Sequence, residues 1–528
     1  MQFFNNNNVN SSDIVSGENL IQMDITMSWQ LMSALILMTI NKIETTLISM
    51  ANIDQHIDEL LKPVAELFSS IIFYSFNVAG TSVPIIVLWL IIAAISFTFY
   101  FGFINIRGFK HACKVIKGDY SDPNDPGEVS HFQALTTALS GTVGLGNIAG
   151  VAIAISIGGP GATFWMIIAG FMGMSTKFLE CTLGVKYRNI SKQGKVRGGP
   201  MYYLRDGLSD LGYTKLGKFL AVFFAFCCVT ASLCGSNMLQ SNQAYQQFVN
   251  VMGGSNSVWA DKGWLFGLIL AILIGVVIIG GIKQIAKVTE KVVPLMAGVY
   301  LSAALYILIA NASNIPQAFS LIYHGAFSPT GVVGGIVGVM IQGFKRSAFS
   351  SEAGVGAASI AHATASTKEP VREGYVALLE PFIDTVVICT ITALVIVITG
   401  AYNSVDGIDG VALTSRAFGS VIWWFPYLLS IAVLLFAIST MISWAYYGSI
   451  AWGFLVGDSK ILDLTYKFIF CIFTVIGASV SLDSVIAISD SLFFSMSIAN
   501  IIGLYMLAPQ IKQDLNTYQT KYTGPTNA

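Results

Sequence analysis

Charge is the scarcest ingredient of this chain. Only 11% of its 528 residues are charged, where a soluble domain carries about a quarter. So little charge cannot cover a water-facing surface of that size, and a soluble globular protein is excluded. The net charge is −1, so nothing points to nucleic acid or an acidic partner. Cysteine is sparse too. Cys113, Cys181, Cys227, Cys228, Cys234, Cys389 and Cys471 lie mostly in apolar blocks, none at metal-ligand spacing, and read as small packing residues rather than disulfides or ligands. His56, His111, His131, His324 and His362 are scattered. No nucleophile, base or metal set converges and no Walker loop marks a primary pump, so an enzyme is not expected. No small-residue cleavage site accompanies the short apolar stretch 28–40. It reads as an interfacial helix behind a polar, disordered-looking start, not as a cleaved signal.

What the chain has in excess is apolar sequence, 54% of residues, in blocks of about 20, the length that spans a hydrocarbon core of about 30 Å. Eleven helical spans are expected, near 84–105, 131–158, 161–186, 217–249, 263–283, 290–311, 331–346, 374–399, 421–448, 464–482 and 485–507, each satisfying its own backbone hydrogen bonds. Basic residues test the count. Arg107, Lys110, Lys114 and Lys117 follow the first span; Lys186, Arg188, Lys192, Lys195, Arg197, Arg205, Lys215 and Lys218 come two spans later, then Lys283, Lys287 and Lys291, then Lys345, Arg346, Lys368 and Arg372, then Lys460 and Lys467, then Lys512 and Lys521. The intervening loops are nearly bare, with Lys262 in one and Arg416 beside Asp406 and Asp409 in another. This alternation follows the positive-inside rule. It places the C-terminus in the cytoplasm and residues 1–80 outside, unless 28–50 also span.

Two spans are interrupted. The first contains Ser140-Gly141-Thr142-Val143-Gly144-Leu145-Gly146-Asn147-Ile148-Ala149-Gly150. Each glycine costs a helix roughly 1 kcal/mol against alanine, so four in ten residues predict local unwinding. Unwound backbone at membrane depth must line a cavity or be buried in protein; its amides can face an anion and its carbonyls a cation. The second interruption is placed at Gly334-Gly335, Gly338 and Ile341-Gln342-Gly343-Phe344-Lys345-Arg346-Ser347. A new helix is expected after it, capped by Ser350 and Ser351 with Glu352 in its first turn. Each break opens a unit with four further spans, residues 131–311 and 331–507, so the second unit enters the membrane inverted. Paired breaks in inverted repeats point to a binding site at the bilayer middle. The plainer reading is that the glycines let helices pack closely, but polar Thr142, Asn147 and Gln342 accompany them.

The residues then resemble a known family. QALTTALSGTVGLGNIAGVAIAISIGGPGATFWM (133–166), KYR (186–188), GGPMYY (198–203), GSNMLQSN (235–242), GIKQIAKVTEKVVPLMA (281–297), FSSEAGVGAASIAHA (349–363) and the FIDT run at 382–385 are similar to the alanine/glycine:cation symporter family, a branch of the amino acid–polyamine–cation superfamily. The resemblance covers about 84–510 and barely touches the first 60 or so residues. It departs at the second break, where the family's arginine-glycine and serine-asparagine-glutamate are here Arg346-Ser347 and Ser350-Ser351-Glu352.

The resemblance implies an all-α leucine-transporter-like fold, five plus five inverted helices with one extra helix in front. It implies a sodium-coupled symporter of small neutral amino acids, alanine or glycine, in the plasma membrane of a prokaryote. Three parts are expected: an N-terminal extension over 1–80, a transporter domain over 84–510 and a cytoplasmic tail over 511–528. The Thr142–Gly146 backbone is assigned the substrate carboxylate, with amides of Gly144 and Gly146 donating and Thr142 and Asn147 nearby. Gln342, Gly343 and Phe344 are assigned the ammonium and side chain. Gln240 flanks the pocket, or like Asn242 merely joins helices. Sodium, which prefers oxygen ligands, falls to the carbonyls of Ser140, Val143 and Phe436 and the hydroxyls of Ser439 and Thr440, unless those hydroxyls only back-bond to their helix.

Charges inside a membrane are costly and suspect. Lys177 and Glu180, three apart, are expected to pair. Glu380 and Asp384 either lock Lys345 or Arg346 as an inner gate or anchor their helix, and Asp490 is a gate or an interface residue. The rivals are a proton-coupled carrier of the same fold, disfavoured because no acid lies within the first break, and a transporter-shaped sensor or channel. A membrane enzyme is remote.

Overall fold

The computed structural model describes residues 53–78, 81–192, 194–328, 335–403 and 410–522. The interfacial helix expected at 28–40, the polar start, Gly334, Asp406, Asp409 and residues 523–528 lie outside them. Among the described residues the chain is a helical bundle with two small β-hairpins.

It begins with α1 (Ile53–Ile72), then the hairpin β1–β2 (Ser75–Val78, Thr81–Pro84) leads into α2 (Ile85–Tyr100) and α3 (Phe109–Ile116). Next come α4 (His131–Thr142), α5 (Val151–Gly158) and α6 (Ala162–Lys186). A short hairpin, β3–β4 (Asn189–Ile190, Val196–Arg197), precedes α7 (Pro200–Asp210) and α8 (Thr214–Val251). Four further helices follow: α9 (Gly263–Ile278), α10 (Gly281–Ala310), α11 (Ile315–Phe327) and α12 (Gly335–Ser351). The rest comprises α13 (Ser359–His362), α14 (Pro370–Ile398), α15 (Gly410–Gly419), α16 (Phe425–Val456), α17 (Lys460–Ser479) and α18 (Leu482–Tyr522).

Seven of these, α6, α8, α10, α14, α16, α17 and α18, are long and apolar enough to cross a bilayer, and α4 with α5 makes an eighth if the bent pair is one span. The apolar helices α2 and α9 have 16 residues each. Large apolar side chains stay exposed along α9 and α10, such as Leu268, Ile272, Val276, Leu295 and Ile309, as on a surface solvated by lipid.

Local chemistry sets the boundaries. Ser130 and Gln133 form a reciprocal capping box that starts α4, and Ser459 caps α17 through Leu462 N. The last span does not stop near 507. Its helix continues to Tyr522, so 511–522 is helical: Tyr518 packs at a tilt against Tyr375 and bonds His111.

The first break is where the glycines put it. Helix α4 ends at Thr142, Val143 leaves helical geometry with ψ 87°, a wide π turn occupies Gly146–Gly150, and α5 departs at 52°. The second break is not at 341–347. Helix α12 runs unbroken through Gln342, Gly343 and Phe344 to Ser351. A β-carbon on Gly343 would sit 2.5 Å from Trp165 Cβ, so this glycine serves the close approach of α12 to α6. The chain breaks instead at Glu352, Gly354 and Gly356, whose φ angles are 56°, 90° and 92°. Ser350 and Ser351 therefore end a helix rather than cap a new one. A glutamate at positive φ is uncommon and costs of order 1–3 kcal/mol, which is usual where backbone strain serves function.

Candidate functional site around the first helix break

The site grows from the end of α4. The last carbonyls of a helix lack intrahelical partners and carry its negative pole. Side chains from α16 reach them. Thr440 donates its hydroxyl to the Ser140 carbonyl at 2.9 Å, Ser140 donates to the Ser439 carbonyl at 2.9 Å, and Ser439 donates to the Phe436 carbonyl at 3.0 Å. Ser443 joins Ser140 at 2.5 Å and the Thr137 carbonyl at 3.0 Å. Ser140, Phe436, Ser439 and Thr440 thus converge beside Val143 in a buried, oxygen-rich patch. Thr440 and Ser439 do not simply share one role: Ser439 bonds back to its own helix, while Thr440 bonds across.

Past the break the polarity reverses, because free amides point inward. Gly144 N donates to Asn147 Oδ1 at 2.9 Å, and Leu145 N donates to Gln240 Oε1 at 3.2 Å. Gln240 thus reaches the break, whereas Asn242 donates to the carbonyls of Gly477 and Val480 on and after α17. A β-carbon on Gly144 would fall 2.4 Å from Thr440 Oγ1 and 3.3 Å from Gln240 Oε1, so no side chain fits there. Among the described residues Thr142 bonds within its own helix, to the carbonyls of Ala138 and Leu139.

Gln342, Gly343 and Phe344 are not what α12 brings to this break. Gln342 packs against Gly158, and Phe344 lies 6.3 Å from the Trp165 ring. Phe349 and Ser350, two turns on, stand over Gly146. Phe349 in turn packs at a tilt against Phe493, and Phe493 against Trp444.

A buried acid also reaches the break. The Asn147 amide donates to the Asp384 carboxylate and to Ser350 Oγ at 3.1 Å; Ser350 and Thr385 donate to Asp384 Oδ2 at 2.6 and 2.7 Å. Asp384 is fully buried and has no basic side chain within ion-pair distance among the described residues. No acid lies within the first break itself, but Asp384 of α14 reaches it from across the bundle.

The gate pairings are corrected as well. Neither Glu380 nor Asp384 meets Lys345 or Arg346. Both cations pair with Asp490, Lys345 at 2.9 Å and Arg346 through two bonds of 3.2 and 2.6 Å, with Lys345 over the Phe73 ring. Lys345 and Arg346 thus lie on α12 and not in the loop after it, which leaves Lys368 there and Arg372 in the first turn of α14. Lys177 pairs with Glu380 at 3.2 Å rather than with Glu180, which accepts from Gly354 N at 2.9 Å and Asn500 Nδ2 at 2.7 Å. The sequence reading also left Glu373 unnoticed. It receives both His131 and His362. One signal was available: Glu373, Glu380 and Asp384 fall on one stripe of a 3.6-residue helix.

This architecture has known counterparts. A crystal structure of MhsT in complex with L-phenylalanine superposes with a TM-score of 0.52 at 15% identity, covering 73% of this chain and 98% of that one. The fold is thus of the leucine-transporter type. The sodium/alanine symporter AgcS of Methanococcus maripaludis is 39% identical over 438 residues, 82% of this chain and 94% of its own. GlnT of Bacillus subtilis, named a probable sodium/glutamine symporter, is 33% identical over 436 residues, 82% of this chain and 87% of its own. Residues 66–527 match the sodium:alanine symporter family as a whole. The chain therefore belongs to the sodium:alanine symporter family, a family of membrane transporters rather than enzymes.

Proposed function

We propose that this protein takes up small neutral amino acids, alanine and glycine first among them, with sodium as the driving ion. The observation that carries the reading is the split polarity of the first break. On one side Ser140, Val143, Phe436, Ser439 and Thr440 offer oxygens suited to a small cation. On the other, the amides of Gly144 and Leu145 are held by the neutral oxygens of Asn147 and Gln240, which a substrate carboxylate can replace. The two sites share one unwound segment, so filling either orders the backbone needed by the other, and the coupling is reciprocal. Each sodium ion moved inward gains ~2.3 kcal/mol per 100 mV of membrane potential.

Under the same proposal the transporter domain covers 84–510, built as inverted repeats over 131–311 and 331–507, with an external extension over 1–80 and a cytoplasmic C-terminus in a plasma membrane. Helix α12 alternates between the sides with the Lys345/Arg346–Asp490 cluster as one gate. Uptake of labelled alanine into proteoliposomes tests the function, with glycine, serine and glutamine as competitors. Absence of sodium stimulation for all four would overturn it.

A second reading has one observation in its favour. Asp384, buried without a basic partner beside Asn147, suits a proton as the coupled ion. Uptake that does not change with pH at fixed sodium would remove that reading.

A further inference from the structure

We propose that Glu373 is the clasp of the gate at the basic end of the bundle, the end assigned above to the cytoplasm. Two histidines 231 positions apart in the chain meet on this one carboxylate. His131 Nδ1 lies against Oε2, and His362 Nδ1 lies 2.6 Å from Oε1. The chain of charges continues, with His362 Nε2 3.6 Å from Glu380 Oε2 and Glu380 Oε1 accepting from Lys177 Nζ at 3.2 Å. All five side chains are buried. Base and acid alternate along the row.

The elements joined are those that a gate must move. His131 opens α4, about 17 Å from the break at Thr142 by helical rise. His362 closes α13, the short helix that follows the second break. Both arms are attached to the bundle through non-helical backbone, at Val143–Leu145 and at Glu352–Gly356, and Glu373 ties their far ends together. The loops beside it are tied as well: Arg188 donates to the carbonyls of Ala363, Ala365, Pro126 and Thr367 at 2.6–2.7 Å.

Permanent scaffolding would leave few loose atoms in so buried a place. Here His131 Nε2 has no hydrogen-bond partner among the described residues, and the His362–Glu380 joint, at 3.6 Å, is longer than a normal hydrogen bond. The other groups facing the cluster are Arg188 and Cys181 near Glu373, and Glu180, Glu352 and Asp384 near Lys177 and Glu380. The clasp is a positioning device, touching neither substrate nor ion, and it rests on the reading of the protein as an alternating-access carrier.

Native Cys181 reports on it. It is fully buried on α6, one turn from Lys177, and faces Glu373 and Glu380. The full chain in vesicles is treated with N-ethylmaleimide and modification of each cysteine is mapped by peptide mass. In Glu373→Gln, loss of a charge-assisted bond is expected to raise the modification rate of Cys181 by about 10-fold or more, with Cys227 and Cys228 unchanged. Glu373→Asp, which keeps the charge, stays nearer to the unmodified protein. An unchanged rate at Cys181, or an equal rise at every cysteine, overturns the proposal. Should Glu373→Gln fail to reach the membrane, His131→Asn cuts one arm of the clasp and is read by the same criteria. The labelling needs no substrate. A failed alanine uptake therefore leaves it standing, and unchanged labelling with normal uptake sinks the clasp alone.

Discussion

Thr440 on α16 donates its hydroxyl to the Ser140 carbonyl at 2.9 Å, in the last turn of α4 before the chain unwinds. This contact joins the two elements assigned the ion. Thr440→Ala removes one oxygen while leaving Ser140, Phe436 and Ser439 in place. The sodium concentration for half-maximal uptake should rise about 10-fold, the scale of one such bond, with little change in maximal rate. Sodium titration of alanine uptake checks it; an unchanged requirement places the ion elsewhere.

The two central glycines should respond differently. Alanine at 144 puts its β-carbon 2.4 Å from Thr440 Oγ1, whereas alanine at 146 meets nothing nearer than Phe349 at 3.6 Å. Overpacking costs typically 1–3 kcal/mol, so Gly144→Ala should lose most uptake and Gly146→Ala little. Gly146→Leu, which reaches Phe349, should lose substrate binding while the protein still inserts. Equilibrium binding of labelled alanine separates the three.

Asp384 accepts from Asn147, Ser350 and Thr385 together. In Asp384→Asn an amide donor must face one of those donors, a mismatch of about 1–3 kcal/mol placed on Asn147. Uptake should fall at least about 10-fold in protein that remains folded. If protons are coupled, the variant's residual uptake should also lose its pH dependence, which a pH series at fixed sodium reads.

Asp490 neutralises both Lys345 and Arg346. Asp490→Asn strands the buried Arg346 and the half-buried Lys345, and breaking a buried pair costs about 3–5 kcal/mol. Phe73→Ala removes only a cation–π contact, about 0.5–2 kcal/mol. Thermal unfolding in detergent should rank Asp490→Asn well below Phe73→Ala.

His111 lies outside the spanning helices, against Tyr375 and Tyr518. Burial, with Lys114 and Arg372 adding to it, lowers its pKa from 6.5 to about 4. The unfolded chain takes up a proton that the folded one refuses. Stability from this group is therefore complete above pH 6.5 and lost as pH falls toward 4. Melting temperature should decline across that window, and less so in His111→Gln.

Glycine density made the first break legible in the sequence, because Gly144, Gly146 and Gly150 crowd a span that has no packing need for all of them. The same signal misled at the second break. Gly343 is there for Trp165, and the true break opens with Glu352, a residue no glycine count detects. The apolar spans depend on local composition, and seven of those expected reappear as helices long enough to cross a bilayer. The clasp was not legible, since His131, His362 and Glu373 meet only after both breaks have turned the chain. Asp490 stands out as an intramembrane charge, but its partners do not, because Lys345 and Arg346 near a span end look like a loop although they lie on α12.

Among the described residues three wide turns interrupt the helices, at Gly146–Gly150, Ala231–Asn237 and Phe382–Cys389. A π turn holds one residue more than an α turn, and each residue turns a helix by about 100°. Gln240 lies three residues beyond the second of them. Its aim at Leu145 N is therefore set by the residue stored upstream and not by the helix that carries it. Deleting a single residue between 231 and 237 would swing Gln240 to another face with its identity intact, so among relatives a one-residue gap inside this helix says more about the pocket than many substitutions.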